Sequence, residues 1–342
     1  MKRKTAAQTK QVCEKTMRLL KWKKGGAAAT GKKKAPSVPQ KAAEEAAPGK
    51  AVRAGAKRLL RRCGGLWRIF CAAGALLLLM QPAEGALKCY NWYFTKNDTH
   101  QQPRLDSEFW FIQNYEGYYV DQTASEEDKV LYLTFDAGYE NGNVEKIVDT
   151  LNAHGVPGAF FILSHLTHSN AALVQKMAQS GHMICNHTAH HKDLTKCTDE
   201  ESFAVELNTL AADCEAIGVQ CEKYFRPPEG KFCEKNLQWA HQLGYTTVFW
   251  SFAYCDWDNA KQPDPESACK NILEHTHPGA VILLHPTSAT NAQILDTLLT
   301  QWKEQGYRFG TLRELTERAH AQREKEAQEP QSNYRQRKKA QT

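Results

Sequence analysis

Three things are scarce in this 342-residue chain, and each scarcity excludes something. The strongest apolar run, Ile69 to Met80, has only 12 residues. A bilayer-spanning helix takes ~20, so a comfortable membrane span is excluded. None of the 11 cysteines forms a CxxC pair, which removes paired-cysteine metal sites. Acid is nearly missing from residues 1–68, which hold 3 Asp+Glu against 20 Lys+Arg. Of 44 basic and 38 acidic residues in all, that leaves 24 and 35 for the remainder. The net charge of +6 therefore belongs to the leader, and the body is acidic.

What is present sorts into segments. Residues 1–66 form a basic leader rich in Ala, Gly and Lys, which cannot bury enough apolar surface to fold and is expected to be disordered. The simpler reading is an unstructured leader with no specific partner; if it has one, anionic lipid headgroups fit better, since the acidic body argues against nucleic acid. Residues 67–86 follow Arg61 and Arg62 with Arg68, the apolar run and then small residues (Ala83, Gly85, Ala86). That order is the order of a secretory signal. A cleaved signal peptide and an uncleaved signal-anchor both fit, both touch the membrane, and both place the chain from residue 87 onward outside the cytoplasm. Residues 87–127 are aromatic and turn-rich without a sustained period and read as an irregular wrapping segment. Cys214 and Cys221 flank a predicted helix end at a spacing that suits a local bridge.

From Val130 a regular alternation begins. Short apolar strands ("VLYLTF", "AFFIL", "MICNH", "KYFRPP", "TTVFWS", "AVILLH", "YRFGTL") alternate with helical periods such as Val144, Ile147, Val148 and Leu151. About seven βα units span 128–318, which predicts parallel strands covered by helices, closed or nearly closed into a barrel. Residues 319–342 read as a polar, solvated tail.

In such a barrel the functional groups collect where strands end. The residues found there are Asp136, His187 and His191, Arg226, Asp256 with Trp257, and His285. Singly each has a bland explanation: a cap, a surface imidazole, a loop staple, a core histidine. Together they fall on one rim, where a merely structural barrel has little use for them.

Read in order, these residues lie in "TFDAG", "HTAHH", "RPPEG", "DW" and "LLH". That series resembles the carbohydrate esterase family 4 polysaccharide deacetylases, which share the NodB homology domain. Within that family "YLTFDAGYENG", "NWYFTKN" and "HPGAVILLHPTS" are similar to the δ-lactam-biosynthetic de-N-acetylases of spore peptidoglycan. The resemblance implies a distorted (β/α)7–8 barrel and an exported hydrolase, acting as a monomer, that removes N-acetyl groups from peptidoglycan sugars. It implies N-acetylmuramic acid as substrate, on the route to muramic δ-lactam. N-acetylglucosamine polymers, O-acetylated xylan and non-catalytic glycan binding are the alternatives.

It also implies roles. Asp136 would be the general base, held by a bidentate pair with Arg226, and His285 the general acid, supported by Asp256. Trp257 and Leu283 would line a pocket for the acetyl methyl. His187 and His191 would hold a divalent cation, most simply Zn, with Co or Mn as substitutes. The family usually supplies a third ligand, an Asp, at the position of Ala137; a water, Asp193 or His190 are the candidates to replace it.

Overall fold

The computed structural model describes residues 88–95 and 100–328. The leader (1–66) and the signal or anchor segment (67–86) lie outside the described residues. Among the described residues no helix is long and apolar enough to cross a membrane. The strands are β1 (Cys89–Asn91), β2 (Gly117–Tyr118), β3 (Val130–Ala137), β4 (Ala159–Ile162), β5 (Met183–Asn186), β6 (Tyr224–Phe225), β7 (Lys231–Cys233), β8 (Thr246–Val248), β9 (Ala280–Leu284) and β10 (Arg308–Phe309). The helices are α1 (Val144–His154), α2 (Ser164–Ser169), α3 (Ala171–Gln179), α4 (Glu200–Ala216), α5 (Glu234–Gln242), α6 (Pro265–Glu274), α7 (Ala289–Glu304) and α8 (Leu312–Gln328).

Eight strands form one sheet in the order β10-β3-β4-β5-β6-β8-β2, with β9 also paired to β3. Its strand pairings are parallel. The sheet curls until β9 is met by two isolated bridges, a parallel one from Phe252, just past β8, to Ile282 and an antiparallel one from Val120, just past β2, to Ala280. The expected distorted barrel is thus a curled sheet with one thin seam.

Strand β3 shows how sequence becomes position. Side chains alternate across a strand, and Leu131, Leu133, Phe135 and Ala137 pack outward against Val144, Ile147, Val148 and Leu151 of α1. Val130 and Tyr132 face inward with Phe161, Cys185 and Val281, and Leu312 and Leu315 of α8 join that inner cluster. Thr134 and Asp136 continue the inward row toward the carboxyl end of the strand. Apolar residues thus fill the lower barrel, and polar ones begin where β3 ends.

Two segments differ from expectation. Residues 87–127 are not wholly irregular: they contain a 3-10 helix over Ser107–Tyr115, add β2 to the sheet, and pair β1 antiparallel with β7. These elements are mostly two or three residues long, too short to leave a period. The last helix continues to Gln328, into the segment expected as tail, because Arg323 reaches back to Glu116 at 2.8 Å and to the Tyr118 hydroxyl.

Candidate active site

Asp136 lies near the end of β3 with its carboxylate 9% exposed. Its Oδ1 accepts from Arg226 Nη1 at 2.7 Å, and its Oδ2 lies 3.5 Å from His187 Nε2. Burial pushes its carboxyl pKa up, but the neighbouring positive charge, above all that of Arg226, outweighs burial and holds it below the ordinary value. Asp136 is therefore an anion at neutral pH.

The Arg226 contact is not bidentate. The guanidinium is fully buried, over the Phe161 ring at 4.2 Å, so each of its donors needs a partner. Nε donates to the Val248 carbonyl at 3.0 Å. Nη2 donates to Thr134 Oγ1 at 2.9 Å and to the Phe249 carbonyl at 3.3 Å. One arm holds Asp136 and the rest fasten the arginine to strands. The following loop keeps its shape through Gly230, whose φ is +64° and where a Cβ would lie 2.8 Å from the Trp250 ring.

His187 and His191 sit on a loop, not a helix. The turn is held open by positive φ at Thr188 (74°) and His191 (53°), with Thr188 Oγ1 accepting from the His191 amide at 2.9 Å. The two rings meet edge to face, with centroids 5.0 Å apart and planes at 68°. Burial holds the His187 pKa down at about 4 and pushes that of His191 below its ordinary value, so both rings are neutral at pH 7. His190 and Asp193 turn elsewhere. His190 Nδ1 pairs with Glu206 at 3.1 Å, and Asp193 caps a 3-10 turn by accepting from the Thr195 hydroxyl at 2.6 Å. Both side chains are thereby committed away from the third ligand position.

On the other side of the rim, Asp256 is fully buried and His285 Nδ1 lies 2.7 Å from its Oδ1. Asp256 Oδ2 accepts from the His285 amide at 2.8 Å and from Asn291 Nδ2 at 2.6 Å. Burial lowers the His285 pKa, but Asp256 outweighs it and leaves the imidazole above its ordinary value. With Nδ1–H given to Asp256, Nε2 is the nitrogen left to exchange a proton. Trp257 is 37% exposed, its ring centroid 6.1 Å from that of His285. Leu283 is buried on β9, in register with Thr134. An ionised carboxylate and a protonated imidazole on one rim supply a base and an acid at the same pH.

A family profile described as polysaccharide deacetylase matches residues 123–248. The peptidoglycan-N-acetylmuramic acid deacetylase PdaA of Bacillus subtilis is 39% identical over 257 residues, covering 73% of this chain and 95% of the relative. The chain belongs to the polysaccharide deacetylases. The solved structure of Bacillus subtilis PdaA, a family 4 carbohydrate esterase, superposes with a TM-score of 0.63 at 37% identity, covering 67% of this chain and 97% of that one. A peptidoglycan-N-acetylglucosamine deacetylase of Bacillus cereus is 33% identical, covering 53% of this chain and 66% of the relative. The protein is accordingly a hydrolase, a carbohydrate de-N-acetylase.

Polysaccharide deacetylases are generally metal-dependent, so the donor atoms matter. His187 Nδ1 lies 2.9 Å from the Arg226 carbonyl, which only accepts; the ring's proton is therefore on Nδ1. That leaves the Nε2 lone pair facing the anionic Asp136 Oδ2, acceptor against acceptor. A divalent cation, or a water donating to both, satisfies that gap. Ala137 is wholly buried, in one apolar cluster with Ile162, Leu166 and Ala189, and offers no ligand. Among the described residues no group of three or more His, Cys, Asp or Glu side chains could hold a metal ion. The residues fit a cation held by two imidazoles, with its other positions left to water or substrate.

Two supporting residues escaped the sequence reading. Asn291 holds Asp256 and the His285 carbonyl, while its own Oδ1 accepts from the Tyr254 hydroxyl. Glu206 is buried and holds the histidine loop through the His190 amide at 3.1 Å and Lys192 at 2.6 Å. A shared signal marks both: each is a polar residue on the apolar stripe of its helix. Asn291 precedes Ile294, Leu295 and Leu298, and Glu206 lies among Phe203, Leu207 and Leu210.

Proposed function

We propose that this deacetylase works outside the cytoplasm on peptidoglycan and removes the N-acetyl group of N-acetylmuramic acid residues from which the peptide stem has been cut. The product amine would then be free to close on the lactyl carboxylate as muramic δ-lactam. The observation that carries this reading is the match to PdaA, 39% identical over 257 residues, against 33% over 184 and 29% over 210 residues for two peptidoglycan-N-acetylglucosamine deacetylases of Bacillus cereus.

In the proposed mechanism Asp136, kept ionised by Arg226, removes a proton from the attacking water as its oxygen bonds to the acetyl carbon. Arg226, anchored to Val248, Phe249 and Thr134, fixes the direction in which that carboxylate faces. His285 Nε2–H gives its proton to the departing nitrogen, so the C–N bond breaks to leave acetate and an amine. Asp256 keeps His285 charged until then. Trp257 and Leu283 enclose the acetyl methyl. His187 and His191 would hold a divalent cation (zinc, with cobalt or manganese as substitutes), whose chemistry is Lewis-acid polarisation of the carbonyl and of the water.

Acetate release from peptide-stripped glycan strands, intact peptidoglycan and chito-oligomers tests the substrate. The reading expects the peptide-stripped strands to be preferred. Acetate from chito-oligomers alone would overturn it in favour of an N-acetylglucosamine substrate.

A further inference from the structure

We infer that Cys89 and Cys233 form a disulfide that ties the beginning of the folded domain to the strand behind the Arg226 loop. The two residues stand directly opposite one another in the antiparallel β1–β7 ribbon. The Trp92 amide donates to the Gly230 carbonyl at 2.8 Å, which makes Trp92 and Gly230 a hydrogen-bonded pair. Pairs alternate along an antiparallel ladder, so Tyr90 with Phe232 is hydrogen-bonded and Cys89 with Cys233 is not. Cα atoms in a non-hydrogen-bonded pair lie about 4.5 Å apart, inside the ~4.4–6.8 Å range of disulfides.

Their side chains also share a face. Tyr90 and Phe232 stack on the other face, ring centroids 5.5 Å apart, where Phe232 belongs to a buried aromatic cluster with Trp92 and Phe249. Period two then sends Cys89 and Cys233 together to the opposite side. Cys89 is exposed, while Cys233 is buried at the start of α5, its thiol donating to Asn236 Oδ1 at 3.2 Å.

The step is a thiol–disulfide exchange. Cys89 attacks a disulfide-bearing oxidant of the extracytoplasmic space, and Cys233 displaces the mixed disulfide. Two S–H bonds break and one S–S bond forms. Two electrons and two protons pass to the oxidant, whose disulfide becomes two thiols. The location of that oxidant rests on the export proposed for this chain; the geometry of the pair does not.

The cross-link would have a purpose here. β7 follows Gly230 directly, and β1 runs into Trp92, which stacks on Phe249 at 4.3 Å and donates to the Trp250 carbonyl at 2.9 Å. The bridge would add a covalent tie to a three-residue strand otherwise held by ring packing of Tyr90 and Trp92 and by ladder hydrogen bonds.

Full-length protein is incubated with glutathione disulfide and glutathione, blocked with N-ethylmaleimide and digested without reductant. Mass spectrometry is expected to find a peptide joining Cys89 to Cys233 that reductant removes and that is lost in Cys89→Ser and Cys233→Ser. Serine is a good helix N-cap, so neither variant should fail to fold. Oxidised wild type should melt about 5–10 °C above either variant. Maleimide on both Cys89 and Cys233 after oxidation, or Cys233 joined to a different cysteine, would overturn the inference. A chain recovered from the cytoplasm that cross-links only when glutathione disulfide is added would sink the export reading and leave the bridge standing.

Discussion

Asp136, near the end of β3, and Asp256, in the chain beyond β8, are both buried carboxylates of one rim, and they are managed in opposite ways. Asp136 is paired with a guanidinium fixed to β3, β8 and the chain just beyond β8, and its role in this reading is to accept a proton. Asp256 is enclosed by donors from one neighbour, the amide and imidazole of His285, with Asn291 behind them. Its role is to keep a proton on that imidazole. The comparison teaches that residue type alone does not assign acid and base; what surrounds each carboxylate does.

The comparison breaks most sharply at Asp136. Asp136→Asn keeps the Arg226 contact but removes the base, and kcat for acetate release should fall about 10³-fold, within the range expected for a general base. Activity within tenfold of wild type would end the assignment. Asp256→Asn should cost about 10²-fold and, more tellingly, should move one side of the pH profile. Activity needs His285 protonated, so it is lost as pH rises through the raised His285 pKa. Without the Asp256 charge that alkaline limb should move to lower pH. The acid limb tracks the depressed Asp136 pKa and should stay in place. Movement of both limbs together would mean the two carboxylates form one coupled unit.

Smaller changes sharpen the picture. His191→Ala removes one of the two imidazoles and should weaken zinc retention about tenfold, read by metal content after dialysis against a chelator. Unchanged retention would argue against the histidine pair as a metal site. Asn291→Ala should lower kcat about fivefold with KM nearly unchanged, because it frees the Asp256 carboxylate without touching substrate. An effect confined to KM would place Asn291 in substrate binding instead.

Much of this architecture is legible in residue order alone. The alternation of β3 puts Leu131, Leu133 and Phe135 on one face and Asp136 on the other, and period alone reveals that. Strand-end position brought Asp136, His187, Arg226, Asp256 and His285 to one rim. What stayed hidden is nonlocal or very short. The backbone carbonyls of Val248 and Phe249 that occupy Arg226 leave no trace in residue identities. Nor does the choice of His190 for Glu206, since it depends on two positive-φ residues in the histidine loop. β1 and β7 are three residues each, below the length at which alternation can be seen. Asn291 and Glu206 were legible in principle, as polar interruptions of apolar stripes.

The thin seam of the sheet has one more implication. Asp256 comes from the chain after β8 and His285 from the end of β9, so the pair lies across the gap that Phe252 and Ile282 bridge. The acid dyad is thus also a clasp on an almost open hoop, and its grip depends on charge. Deprotonating the imidazole removes half of the ion pair beside a seam held by few backbone hydrogen bonds, those of the Ser251 and Phe252 amides to the Val281 carbonyl and of the Leu283 amide to the Phe252 carbonyl. Amide exchange in residues 249–256 should therefore quicken above the His285 pKa, so that the proton used for catalysis is also one that keeps the ring shut.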